Sequence, residues 1–238
     1  MKRSAGFMDF RGEIKKLVKK YKHAWVFIYV PIYLIWFCIL ENRVTAQYHI
    51  IHSVLDDRIP FVEYFIVPYL LWFVFIAAVF LYFFFTDVEE FYKLSGLMFA
   101  GMTIFLIVST IMPNGLELRP LIFERDNIFV DAVKLLYRTD TPTNVFPSIH
   151  VYNSVVACIA VSKSRHLEKK KGIRHGVYAM AVLIILSTVF LKQHSVIDLM
   201  AAFVMAYVLY PFVYAGADRK VPAGRGMMRR RLERKRQV

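Results

Sequence analysis

Long apolar runs constrain the fold of this chain more than any other feature. Six of them approach the roughly 20 mainly apolar residues that a membrane-spanning helix needs. They cover residues 24–40, 61–85, 95–113, 147–161, 176–191 and 195–215. Apolar residues make up 58% of the chain and its mean hydropathy is +0.45, above what soluble domains show. The runs therefore predict an all-α integral membrane protein, built as a bundle of six transmembrane helices.

The distribution of basic residues predicts the orientation of this bundle. With six spans, 24 of the 31 Lys and Arg residues fall on one side: before residue 24, at Lys93, within 162–175 and from residue 216 onward. Because cytoplasmic segments are enriched in Lys and Arg, both termini are predicted to be cytoplasmic. The net charge of +13 then fits anionic membrane lipids as partners, and no nucleic acid is expected because the chain has no recognisable nucleic-acid-binding module.

The chain divides into three predicted segments. Residues 1–23 form a basic amphipathic cytoplasmic helix, expected to lie on the inner leaflet. Its apolar face consists of Phe10, Ile14, Leu17, Val18 and Tyr21. Residues 24–215 form the membrane domain, and residues 216–238 form a basic cytoplasmic tail. Within the long outer loop 114–146, residues 129–137 have the apolar spacing of a short surface helix.

Polar residues from three separate stretches meet at the predicted outer ends of the spans. The stretches are PNGLELRP with Arg119, PSIH with Ser148 and His150, and LKQHSVID with Lys192, His194 and Asp198. Taken singly, a His, Lys or Arg at a membrane interface is usually a wetted or anchoring side chain. A carboxylate inside a span is expensive and needs a partner. The convergence of all three stretches on one face predicts a functional site.

This site has the chemistry of a phosphate cradle. Arg119 and Lys192 offer positive charge, and an Arg binds a phosphate through two parallel hydrogen bonds. The start of the fourth apolar helix offers free backbone N–H groups, and Ser148 adds a hydroxyl there.

His194 and Asp198 are four residues apart, so on a helix they share a face. A carboxylate beside one ring nitrogen fixes the tautomer and leaves the other nitrogen free as a nucleophile or base. His150 could then act as a general acid. Three further residues near the mouth could contact a headgroup, or serve in capping and packing: Asn144, Tyr152 and Asn153.

These motifs resemble the type 2 phosphatidic acid phosphatase superfamily, the membrane relatives of vanadium haloperoxidases. Its pattern is Lys, six residues, Arg-Pro; then Pro-Ser-Gly-His; then Ser-Arg, five residues, His, three residues, Asp. Here the second part is PSIH at 147–150, and the third is Ser-Thr at 187–188 followed by His194 and Asp198. Arg119-Pro120 remains of the first part.

The resemblance implies a role for each matching residue. His194 would be the nucleophile that forms a phosphohistidine, with Asp198 as its orienting partner. His150 would protonate the leaving group and then activate water. Arg119 and Ser148 would bind the phosphoryl oxygens, and neither a metal nor another cofactor is implied.

Three positions depart from the family pattern. Met112 stands in place of the first Lys, Thr188 in place of the Arg, and Ile149 in place of the Gly. Two positive phosphate ligands are therefore missing. Lys192 lies one helical turn after Thr188, and we expect it to restore one of these charges.

The resemblance implies a metal-independent lipid phosphatase. The orientation predicted from the basic residues puts its active site on the outer face, and the short loops and the lack of sorting signals favour a multi-pass protein of the cell (plasma) membrane. It would hydrolyse a lipid phosphomonoester or diphosphate, such as phosphatidate, phosphatidylglycerol phosphate or a polyprenyl diphosphate. A lipid phosphotransferase is the first alternative, because the departures are also similar to the sphingolipid branch, which includes inositol phosphorylceramide and sphingomyelin synthases. An inactive scaffold or transporter that keeps the fold is the second alternative.

Overall fold

The computed structural model describes the backbone of residues 3–43 and 48–215, and the side chains of residues 12–43 and 48–214. The described chain is mainly helical. Its α-helices are α1 (Arg3–Lys20), α2 (Tyr29–Glu41), α3 (Val54–Arg58), α4 (Ile66–Thr86), α5 (Val88–Ile111), α6 (Ile128–Thr139), α7 (Ile149–Lys163), α8 (Lys171–Phe190) and α9 (Val196–Tyr210). Two short strands, β1 (His49–Ile50) and β2 (Asn114–Gly115), pair in parallel. The predicted basic tail 216–238 lies outside the described residues.

Five helical stretches within the described ranges are long and apolar enough to cross a membrane. They are Lys22–Glu41, Glu63–Thr86, Val88–Ile111, Lys171–Phe190 and Val196–Tyr214. The remaining predicted span is α7, which has 15 residues. A helix of that length rises about 22 Å, less than the ~30 Å hydrocarbon core of a bilayer. The helical membrane fold is confirmed, while the count of six spans and the cytoplasmic termini stay predictions.

The short helix α7 lies at the centre of the bundle, where it packs against α4, α5, α8 and α9. It packs tightly against α5, where a Cβ atom on Gly101 would overlap the ring of Tyr152. The Tyr152 hydroxyl donates to the carbonyl oxygen of Leu97 at 2.6 Å. Small residues allow this kind of close helix contact in membrane proteins. Neighbouring helices thus surround α7, and this position fits its short length.

The third predicted span was too short because its helix starts before the apolar run does. The third span begins at Val88 rather than at residue 95. Asp87 caps it by accepting a hydrogen bond from Glu90 N at 3.0 Å, and Glu89 and Glu90 lie in its first turn. Carboxylates are favourable at a helix N-terminus, although they interrupt an apolar pattern in the sequence.

Three loops gather at one end of the bundle. The strand pairing joins the segment after α2 to the segment after α5, and Val62 N donates to Phe190 O at the end of α8. Helix α6 also lies here, with Val130 and Val133 buried, and it confirms the short helix predicted within 129–137. Gly115 allows a close crossing, because a Cβ atom there would lie 2.7 Å from the Pro142 carbonyl oxygen.

Helix α1 (Arg3–Lys20) lies within the predicted amino-terminal segment 1–23. Its apolar residues Ile14, Leu17 and Val18 are 43%, 53% and 66% exposed, so this face is not buried by the described protein. Contact of this face with a membrane surface stays a prediction. The side chain of Phe10, which was assigned to the same face, lies outside the described residues.

Candidate active site

The start of α7 is fixed by Ser148. This residue is the N-cap of the helix and is fully buried, and its hydroxyl accepts a hydrogen bond from Val151 N at 3.4 Å. Its own N–H donates to the carbonyl oxygen of Asp198 at 3.3 Å. The starts of α7 and α9 are therefore joined directly, which brings the second and third motifs together.

The start of α9 holds the predicted His–Asp pair. Ser195 is the N-cap of α9 and forms a capping box, in which Ser195 N donates to Asp198 Oδ2 at 2.8 Å. The same oxygen lies 3.3 Å from His194 Nδ1. Asp198 is fully buried and His194 is 7% exposed. A carboxylate beside Nδ1 favours the proton on that nitrogen, which leaves Nε2 with a free lone pair.

His150 faces this pair from the first turn of α7. Its ring stacks on Tyr69 with centroids 4.7 Å apart, and it lies 4.3 Å from the ring of Trp72. The centroids of His150 and His194 are 5.8 Å apart. Neither ring nitrogen of His150 has a hydrogen-bond partner among the described residues. The structure thus places an imidazole with two buried, unpaired ring nitrogens beside the predicted nucleophile.

Arg119 lies at the edge of the site and holds α6. Its guanidinium group lies 4.5 Å from the ring of Tyr137 and donates to the carbonyl oxygens of Tyr137 and Asp140, at 3.2 and 2.8 Å. It also donates to Gln193 Oε1 at 2.7 Å. A basic side chain commonly binds the last carbonyls of a helix in this way. Burial lowers the pKa of Arg119.

A cavity of about 50 Å³ lies beside His150 and His194. It is lined by Phe37, Tyr69, Phe105, Asp140, Thr141, Thr143, Asn144, Val145, Ile149, His150, Gln193 and His194. Asp140 brings a carboxylate into its wall, where the Tyr69 hydroxyl donates to Asp140 Oδ2 at 3.4 Å. Burial raises the pKa of Asp140. The cavity therefore combines two histidines with a carboxylate, and Arg119 lies next to it through its hydrogen bond to the lining residue Gln193.

Lys192 requires a correction to the sequence interpretation. Its backbone is left-handed, with φ of 53°, and its ammonium group donates to the carbonyl oxygens of Asp56 and Ile59 near the end of α3. The structure does not bring this charge to the cavity. The position one turn after Thr188 suggested proximity, but α8 ends at Phe190, so helical spacing no longer applies to Lys192.

The three possible headgroup residues have different positions. Asn144 lines the cavity, and its side-chain nitrogen donates to Glu41 Oε1 at 2.8 Å. Tyr152 and Asn153 are 0% and 2% exposed inside the bundle, and Tyr152 bonds to α5 as described above. For Tyr152 and Asn153 the structure therefore favours the packing interpretation over headgroup contact.

Several residues of the site were missed in the sequence. Asn114 organises the approach to PSIH, because its Oδ1 accepts hydrogen bonds from Val145 N and Phe146 N at 2.8 and 2.9 Å. Tyr69 and Trp72 are three residues apart within an apolar span, which is also the pattern of ordinary core residues. Asp140 had no signal in the sequence, since an acidic residue in a polar loop is common.

Comparison with known proteins supports the family. The model of the PAP2 superfamily matches residues 117–222. The predicted resemblance to this superfamily is confirmed over these residues. The match includes Arg119, PSIH and the His194–Asp198 pair, so it contains every motif that carried the resemblance. Members of this superfamily are generally phosphatases and phosphotransferases. No curated protein and no solved structure gave a significant match.

Proposed function

We propose that this PAP2 superfamily protein is a lipid phosphate phosphatase that acts at the outer face of the cell membrane through a phosphohistidine. The observation that carries the proposal is the meeting of His194, hydrogen-bonded at Nδ1 to buried Asp198, with His150 across one cavity. A nucleophile oriented by a carboxylate and faced by a second acid or base is the arrangement that covalent catalysis requires.

In the proposed first step, Nε2 of His194 attacks the phosphorus atom and the bond from phosphorus to the lipid oxygen breaks. His150 donates its proton to the departing lipid alkoxide, which leaves as an alcohol. Neutral His150 then takes a proton from water as that water attacks phosphohistidine. The P–N bond breaks, phosphate is released, and both histidines return to their starting states.

Arg119 and the start of α7 would stabilise the phosphoryl oxygens. Nε of Arg119 has no hydrogen-bond partner among the described residues, so it remains a donor for a ligand. The guanidinium group keeps its charge, and Ser148 fixes the first turn of α7, where free N–H groups and the helix dipole favour an anion.

The experiment that tests the proposal uses purified protein in detergent micelles containing a lipid phosphate with a labelled phosphoryl group. Reactions are run with and without diacylglycerol or ceramide, and a His194→Ala variant is the control. Release of labelled phosphate by the wild type alone is expected. Labelled phospholipid that forms only with the added alcohol would indicate transfer instead, and no turnover with any donor would contradict both activities.

A lipid phosphotransferase is the second candidate, and the charge of the cavity favours it. Asp140 lies in the cavity wall, while Met112 and Thr188 stand where the family pattern has cations. A phosphomonoester carries up to two negative charges near neutral pH, and a phosphodiester carries one. Fewer cations and an added carboxylate reduce the attraction for a dianion more than for a monoanion.

Asp140→Asn tests this charge argument. The substitution should lower KM for a phosphomonoester by roughly threefold to tenfold, because it removes a like charge beside the phosphate. Since burial raises the pKa of Asp140, its carboxylate takes up a proton as the pH falls, and the difference from the wild type should shrink there. KM is measured from pH 5 to 8.

Asp131→Asn is the matched control for Asp140→Asn. Asp131 lies on α6 and its side chain is 67% exposed, so KM should not change. A KM that is unchanged or higher in Asp140→Asn would contradict the charge argument.

A further inference from the structure

The pentapeptide that carries the candidate nucleophile has a near copy in the segment before α3. Residues 52–56 read HSVLD, and residues 194–198 read HSVID. Each forms a capping box at the start of a helix. Ser53 N donates to Asp56 Oδ2 at 2.8 Å, and Ser195 N donates to Asp198 Oδ2 at 2.8 Å. The two copies therefore share local structure as well as sequence.

The two copies are also bonded to each other. Ser195 Oγ donates to Asp56 Oδ2 at 2.6 Å, and Val196 N donates to Asp56 Oδ1 at 2.8 Å. Asp56 is 2% exposed, so these bonds are sheltered from water. One carboxylate thus binds the starts of both α3 and α9, and we call these contacts of Asp56 with Ser53, Ser195 and Val196 the Asp56 clasp.

A second tie lies on the other side of His194. The Lys192 ammonium group donates to the carbonyl oxygens of Asp56 and Ile59. Residues on both sides of the candidate nucleophile are therefore bonded to the same short segment. This gives Lys192 a role in holding the loop, in place of the phosphate contact expected from the sequence.

The first pentapeptide differs from the second in the environment of its histidine. The side chain of His52 is 43% exposed, and its Nε2 lies 2.9 Å from Asp57 Oδ1 rather than from Asp56. His194 is 7% exposed and pairs with the aspartate of its own box. The Asp56 carboxylate instead accepts hydrogen bonds from Ser195 and Val196 of the second copy. HSVLD therefore supports the second copy and is not itself a second site.

We propose that Asp56 is a positioning residue for the His194–Asp198 pair; this rests on the proposed function of His194. Asp56 fixes the Ser195 hydroxyl and the first N–H of α9. Ser195 N in turn donates to Asp198 Oδ2, the oxygen that faces His194 Nδ1. Loss of the Asp56 clasp frees the peptide between the two catalytic side chains, and the imidazole loses its fixed direction.

Asparagine cannot replace Asp56 in this arrangement. The two carboxylate oxygens of Asp56 accept hydrogen bonds from three donors: Ser53 N, Ser195 Oγ and Val196 N. An amide has one oxygen and an NH₂ group that only donates. In Asp56→Asn, the NH₂ group must therefore replace one of the two accepting oxygens. It then points at a group that is itself a hydrogen-bond donor, and that hydrogen bond is lost. The neighbouring Asp57→Asn is the matched control, because the Asp57 side chain is 60% exposed and lies outside the clasp.

The test measures amide hydrogen exchange and kinetics on the same full-length variants in detergent. In Asp56→Asn, exchange at residues 195–197 should be faster by about tenfold or more. The value of kcat, normalised to the amount of protein that forms phosphohistidine, should fall about 10- to 100-fold with KM within about threefold. Asp57→Asn should match the wild type in both. Ser195→Ala keeps the hydrogen bond from Val196 N to Asp56, so the exchange rate and the normalised kcat should change in the same directions but by less. This variant replaces Asp56→Asn in the test if Asp56→Asn does not fold.

Each result bears on the proposal. If amide hydrogen exchange at residues 195–197 is unchanged in Asp56→Asn, the Asp56 clasp does not hold this segment. If only Ser195→Ala folds, unchanged exchange in that variant has the same meaning. Faster exchange with unchanged normalised kcat would overturn the positioning role. If the wild type turns over no lipid phosphate, the proposed function fails. The exchange measurement then still decides whether Asp56 holds this segment.

Discussion

Replacing His194 with glutamine is expected to abolish phosphoenzyme formation and to lower turnover of a lipid phosphate by about 10⁴-fold or more. Glutamine keeps a polar side chain near Asp198 but has no nucleophilic ring nitrogen. The measurement is rapid quenching with a substrate labelled in the phosphoryl group, followed by a count of label bound to the protein. Phosphohistidine is identified by its stability in base and lability in acid.

The chain provides a matched control for this variant. His52 occupies the same place in HSVLD that His194 occupies in HSVID, and its side chain is 43% exposed. His52→Gln should therefore form the phosphoenzyme at the wild-type rate. If His194→Gln still carried acid-labile label, another residue would have to be the nucleophile and the proposed mechanism would be wrong.

Replacing His150 with phenylalanine is expected to lower turnover of a lipid phosphate by about 10²- to 10⁴-fold. Phenylalanine can keep the stacking on Tyr69 and Trp72, whose ring centroids lie 4.7 and 4.3 Å from that of His150. It cannot protonate a leaving alkoxide or take a proton from water. Both steps of the proposed mechanism should therefore become slow with lipid substrates.

A substrate with an acidic leaving group separates the two roles of His150. Nitrophenyl phosphate releases an anion that needs no proton, so the first step should persist in His150→Phe. The second step still needs a base, so labelled phosphoenzyme should accumulate. The double variant with His194→Gln is the control and should carry no label. An equal loss of the first step with both substrates would argue against general acid catalysis by His150.

Local spacing explains which parts of the site could be predicted. Asp198 follows His194 by four residues within one helix start, so their pairing depends on backbone geometry that the sequence encodes directly. Ser148 likewise lies just before an apolar helix, where a Ser is a common N-cap. The burial of Asp198 follows because an apolar run contains it. These features need only contacts between residues that are near each other in the chain.

Contacts between distant segments explain what was missed. Asp140 enters the cavity because Arg119 holds the end of α6 against Gln193. Lys192 turns away because its backbone is left-handed and because the segment of Asp56 and Ile59 offers two carbonyl oxygens. Neither outcome depends on residues within one helical turn. Apolar spacing also could not distinguish Tyr69 and Trp72, which contact His150, from other aromatic residues of the same span.

The sequence by itself determined that the chain is a helical membrane protein with the PAP2 motifs, because hydropathy and short-range spacing are properties of the linear order of residues. Only the tertiary structure decided how those motifs are supported. In the folded protein α7 lies in the centre of the bundle, and Asp56 accepts a hydrogen bond from the start of α9. Lys192 binds the carbonyl oxygen of Asp56 and does not reach the cavity. The physical reason is that a hydrogen bond between segments depends on which donors and acceptors folding brings within 3 Å or so, and buried polar groups must find such partners.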